Sequence, residues 1–165
     1  MNRFPIANAA AMKIVATFWI AIVQSLTAPA YAADFDADRF AQRYFDAWVM
    51  SQSPEATRQN LERYLALLAD DVGHQHLPYD PDDSRIPTGK QDMRDGMGRY
   101  LGAHTQHEAN LISYMAGHDV IVIHYSTLSK DIHPQTHEEI AQDYLTVEVL
   151  EIEDGKVAMI RKYSP

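Results

Sequence analysis

The chain of 165 residues contains no cysteine. No disulfide can staple it and no thiol can act in it, so the fold must rest on its core or on a contact between two copies. Basic residues are scarce beside acidic ones: 14 Lys and Arg stand against 23 Asp and Glu, a formal net charge of −9. That balance weighs against nucleic acid and against anionic membrane surfaces as partners. Long apolar runs are missing too. The run at residues 14–23, broken only by Thr17, is about half of what a bilayer-spanning helix needs, so no stable membrane anchor is expected in the mature form. There is no internal repeat and no low-complexity tract, and the length suits one domain.

What is present at the start of the chain reads as an export signal. Lys13 precedes the apolar run, Gln24-Ser25 closes it, and Ala30-Tyr31-Ala32 supplies the small-x-small pattern that a signal peptidase cuts. Residues 1–32 are therefore expected to be a signal peptide, with Met12 as an alternative start, and residues 33–165 the mature domain, periplasmic or secreted. Residues 1–32 hold Arg3 and Lys13 and no acidic residue, so cleavage would move the net charge from −9 to −11.

The mature part opens with helical patterning. Phe40, Tyr44, Ala47 and Trp48 recur on one face of a helix predicted over residues 36–50, with Asp36 and Asp38 at its positive end. Ser53-Pro54-Glu55 signals a second helix start, continued by Leu61, Tyr64, Leu65 and Leu68 up to Asp70-Asp71. A short extended piece at 72–77 and a loop at 78–87 follow. A third helix is predicted over 90–101, with Met93, Met97, Tyr100 and Leu101 on its apolar face, and Gly96 and Gly98 suggesting close packing on a sheet. The remainder is β: strands at 109–115 and 120–128, a polar loop at 129–137, a long strand at 140–152, an Asp154-Gly155 turn and a closing strand at 157–163. This order gives an α+β fold, with helices packed on one face of a curved antiparallel sheet.

Four segments, in order, resemble the SnoaL-like branch of the nuclear-transport-factor-two-like superfamily. They are the helix-to-strand run from Tyr64 to Asp71, Thr88-Gly89-Lys90, His107 to Asn110, and the hairpin from Val147 to Val157. The resemblance implies a cone-shaped barrel, in which a curved antiparallel sheet carries three helices on one face over a deep pocket. It implies a family that holds ketosteroid isomerases, epoxide hydrolases, polyketide cyclases and non-catalytic binding or assembly modules, so the fold alone selects no function.

Candidate chemistry follows from strand alternation and from that resemblance. His74 and His76 share one face of their strand, because side chains repeat every two residues. By the resemblance, His76 falls where isomerase-like members carry a catalytic aspartate, Glu148 where cyclase-like members carry an acid/base residue, and Tyr44 where isomerases carry an oxyanion donor. A neutral imidazole can serve as base near pH 7. Each also has a plainer role: His76 as a lining histidine, Glu148 as a solvated residue on the outer face, Tyr44 as a core tyrosine. Alternation groups Tyr144, Thr146, Glu148, Leu150 and Ile152 on one face but leaves open which face is inward. His74, His107, His124 and Tyr100 are candidate ligand-binding residues, His124 with a core role as its alternative. His74 and His76, with His104 or His107 and a carboxylate, could ligate zinc or a similar ion, but beyond the His-x-His the spacing fits no recognised metal pattern, and neither metal nor cofactor is expected. His133 and His137 read as solvated loop residues. Asp80 to Asp83 lack the glycine and terminal glutamate of a calcium loop and read as a solvated turn. The expectation is an acid/base enzyme (isomerase, cyclase or aldol-type) on a small apolar carbonyl compound. The alternative is a binding or dimerisation module, with a homodimer as a possible assembly in either case.

Overall fold

Asp36 caps the first helix: its carboxylate accepts the backbone N–H of Arg39 at 2.9 Å, where the helix leaves its first donors unpaired. The computed structural model describes residues 35–132 and 136–165. The expected signal segment and His133 lie outside the described residues. Helix α1 spans Ala37–Gln52 and buries Phe40, Ala41, Tyr44 and Phe45. Helix α2 spans Arg58–Leu65, later than Ser53-Pro54-Glu55 suggests. Thr57 and Asn60 form a reciprocal capping box there, and two backbone donors satisfied at once outweigh a proline at the first turn. Ser53 closes α1 instead.

The second helix also ends sooner than its apolar period suggests. Leu68 is fully buried, but it opens strand β1, Leu68–Leu77. Helix α3 follows at Gly89–Gly98. Then come β2 at Gln106–Gly117, β3 at Val120–Ile132, β4 at Glu139–Glu153 and β5 at Lys156–Tyr163. Strand β3 reaches well into residues 129–137, the segment expected to be a polar loop. The β4–β5 turn is Asp154-Gly155, with φ of 50° and 71°, the left-handed pair that a tight hairpin requires.

The sheet order is β1-β5-β4-β3-β2. All pairings are antiparallel except β1 with β5, which run parallel. The sheet is thus mostly rather than wholly antiparallel, and with its three helices it forms the cone-shaped α+β fold. Its inner face supplies Ile121, Ile123 and Tyr125 from β3 and Thr146, Glu148, Leu150 and Ile152 from β4, all buried against the α1 and α2 side chains. Each large apolar side chain enclosed this way contributes about 1.5–3 kcal/mol. The outer face carries Val122, Val147 and Val149, with Met115 and Leu145 exposed. No helix among the described residues is long and apolar enough to cross a membrane.

Gly96 and Gly98 do not mark close packing, because nothing lies within 4 Å of a Cβ placed on either. Gly89 does: a Cβ there would run into the Val72 carbonyl oxygen. Helix α3 therefore starts pressed against β1. It is held by ion pairs of Lys90 with Asp70 at 2.6 Å and of Arg94 with Glu62 at 2.7 Å. Arg85 ties the preceding loop to Asp71 and Glu153.

Candidate functional site

Between the sheet's inner face and the helices lies a cavity of about 1040 Å³, at the upper end of the range for small-molecule sites. Trp48, Tyr64, Val72, Met93 and Met97 give it apolar walls. Three of its polar groups come from neighbouring strands in one register line. His76 of β1 pairs with Lys162 of β5, and Lys162 pairs with Glu148 of β4. Residues paired across a sheet project to the same side, and all three line the cavity.

Glu148 is 3% exposed. Its two carboxylate oxygens accept separate hydroxyls: Tyr125 donates to Oε1 at 2.8 Å and Tyr44 to Oε2 at 3.1 Å. The hydroxyl of Tyr64 lies 3.1 Å from that of Tyr44. Burial, and then the charge of Glu148, raise the pKa of Tyr44, Tyr64 and Tyr125, so these phenols stay protonated as donors.

His76 Nε2 lies 2.7 Å from Ser164 Oγ. With the serine oxygen as acceptor, Nδ1 carries the ring's lone pair. Its pKa is lowered by desolvation and then by the charge of Lys162. His74 is exposed, but it faces the cavity. Desolvation by the surrounding walls, then the charges of Lys162 and His76, lower its pKa to about 4. Both imidazoles are therefore neutral at pH 7.

Alternation on β1 does bring His74 and His76 to one wall, and Glu148 faces inward. Tyr100 is 71% exposed at the rim. Three of the expected site residues sit elsewhere. Tyr44 stands behind Glu148, its hydroxyl directed at that carboxylate rather than at the cavity. His107 packs edge-on against Trp48, ring centroids 5.6 Å apart. Burial and the charge of His104 lower its pKa to about 4, and its Nδ1 is buried without a hydrogen bond. His124 lies on the outer face of the sheet, because Ile123 and Tyr125 on either side of it take the inner face.

Sequence reasoning missed Lys162, Ser164, Tyr125 and the pair of His104 Nδ1 with Asp131 Oδ1 at 2.7 Å, which also lines the cavity. Alternation from Ile160 would have put Lys162 on the inner face, but its alignment with His76 and Glu148 depends on strand pairing. Among the described residues no group of three or more His, Cys, Asp or Glu is placed to hold a metal ion.

The family model of the SnoaL-like domain matches residues 41–160. Among similar solved structures is an LEH-like epoxide hydrolase of M. tuberculosis, 17% identical, with a TM-score of 0.56 over 77% of this chain and 84% of that one. An NTF2-like protein from Anabaena variabilis is 11% identical, with a TM-score of 0.60 over 80% and 91%. A phenazine biosynthesis-related protein from Pseudomonas aeruginosa is 16% identical, with a TM-score of 0.56 over 79% and 84%. At these identities the likeness shows the fold alone. No curated protein matches the chain.

Proposed function

The chain belongs to the SnoaL-like domain family, and from that premise we propose that it moves a proton on a small, largely apolar carbonyl compound, in an isomerisation, cyclisation or aldol-type step. The observation that carries this reading is the line His76–Lys162–Glu148 across the floor of a cavity walled by Trp48, Val72, Met93 and Met97. A neutral imidazole can take a proton from the carbon beside a carbonyl, and Ser164 fixes the ring that would do so. Glu148, clasped by Tyr44 and Tyr125, is the second acid/base group. The NTF2-like fold serves many chemistries, so the assignment rests on the site.

One observation favours a second reading, a binding module for the same class of molecule: both oxygens of Glu148 already accept hydrogen bonds. Solvent-deuterium exchange separates the two. A panel of small aromatic and alicyclic ketones is incubated in D2O with the protein and followed by NMR. Proton transfer predicts incorporation beside the carbonyl, lost about a hundredfold or more in a folded His76→Ala variant. A binding module gives no exchange in either protein and a changed affinity in the variant. We also propose export after cleavage behind Ala32.

A further inference from the structure

We propose that Lys162 holds the negative oxygen that forms on the ligand, and that the cavity selects ligands that are neutral when they enter. This rests on the proton-transfer reading and names its missing partner, the group that receives the charge.

When a proton leaves the carbon beside a carbonyl, the C–H bond breaks and the proton goes to the imidazole of His76. The electron pair moves through the carbon–carbon bond onto the carbonyl oxygen. The enolate oxygen needs a donor or a cation within reach, in place before the charge forms. The three buried tyrosines do not supply it, and Tyr100 stands out at the exposed rim. Tyr44 and Tyr125 both donate to Glu148, and the hydroxyl of Tyr64 pairs with that of Tyr44. Glu148 carries the wrong charge.

Lys162 has the right charge and the right place. It lies between His76 and Glu148 in the register, one strand from each, and its side chain lines the cavity. Its ammonium sits over the ring of Trp48, 5.8 Å from the centroid. Among the described residues no carboxylate comes within 4.0 Å of it. Glu148, its nearest acidic neighbour in the sheet, is turned to the tyrosines. A partly enclosed ammonium without a counter-ion is unfavourable, and an oxyanion formed beside it would relieve that cost.

The rim points the other way. Asp80, Asp82 and Asp92 line the cavity and are exposed. A ligand already carrying a carboxylate must pass these charges within about a Debye length of 8 Å. A neutral ketone or enol does not, and meets Lys162 only once its charge develops inside. The site therefore discriminates by when the charge appears.

The test uses 2-naphthol, a neutral enol-shaped probe whose naphtholate has its own absorbance. The ionisation midpoint of the bound probe is measured in the wild type, Lys162→Met, Lys162→Gln and Lys162→Arg. Expected is a midpoint lowered by about one pH unit or more in the wild type, a tenfold preference for naphtholate. Lys162→Arg keeps the shift. Lys162→Met and Lys162→Gln lose it while binding neutral naphthol within about threefold of wild type. The anion 2-naphthoate binds more weakly than naphthol. An unshifted wild-type midpoint, a shift that survives in Lys162→Met or Lys162→Gln, or failure to bind naphthol overturns the proposal. A midpoint shift that is intact in His76→Ala, with no deuterium exchange from any protein, sinks the proton-transfer reading and leaves the anion site standing. Exchange by wild type that Lys162→Met leaves unchanged sinks the role of Lys162 alone.

Discussion

Glu148 shows what one buried carboxylate demands of its neighbours. A hydrogen bond to a charged group contributes about 1.5–3 kcal/mol, and leaving the buried partner unsatisfied accounts for much of the loss. Tyr125→Phe removes the donor on Oε1. Urea unfolding at pH 7 should therefore show a loss of about 1.5–3 kcal/mol in Tyr125→Phe, and a smaller loss when the same change is made in Glu148→Gln. Equal losses in both backgrounds would show that the hydroxyl acts independently of the charge. Glu148 and His76 were reachable through the family resemblance, while strand alternation grouped each with its neighbours and left the inward face open. The clasp was not, since Tyr44, Tyr125 and Glu148 are distant in sequence and meet only through packing. Lys162 escaped for a related reason: alternation gives a face, whereas its neighbours follow from which strands pair. His124 shows the limit of alternation, which groups residues but does not say which group faces the core.

Helix α3 forms the wall opposite the sheet, and its glycines divide by surroundings. Gly89 faces the Val72 carbonyl, where a methyl group has no room, so Gly89→Ala should cost about 1–3 kcal/mol through overpacking. Gly96 is helical and faces open space, so Gly96→Ala should stabilise by about 0.5–1 kcal/mol. Thermal melts of the two variants should move in opposite directions, and a stabilised Gly89→Ala would show that the helix can shift away from β1. Helix α1 and the hairpin at Asp154-Gly155 were legible because local signals and tertiary structure agree there. The stretch from Ser53 to Leu68 was not. Its apolar spacing suits a helix throughout, but the Thr57–Asn60 box starts α2 late, and Leu68 is taken into β1 by pairing with Val157.

At the scale of the whole molecule, acid should loosen the fold before it titrates the ion pairs. His74 and His107 protonate near pH 4 in the folded chain, against about 6.5 for a free imidazole. Between those values the unfolded chain binds more protons, so their contribution is intact above about pH 6.5 and is lost as the pH falls toward 4. Glu62 and Asp70, held below the usual carboxylate range by Arg94 and Lys90, lose their contribution at lower pH still. The melting temperature should fall between pH 6.5 and 4, and a His74→Gln/His107→Gln variant should flatten that slope. An unchanged slope would assign the acid sensitivity to other groups. Export has its own readout: the first residue of the secreted or periplasmic product should be Ala33 by N-terminal sequencing, and a soluble cytoplasmic product retaining residues 1–32 would refute it. The sheet order adds a consequence for biosynthesis. Strand β5 is made after the other four, yet it occupies an inner position between β1 and β4. Until it emerges from the ribosome, β1 and β4 each present an unpaired edge, and neither Lys162 nor Ser164 is available to meet His76. A nascent chain in that condition cannot close its sheet ahead of time. The same delay leaves both edges open to aggregation until β5 is made.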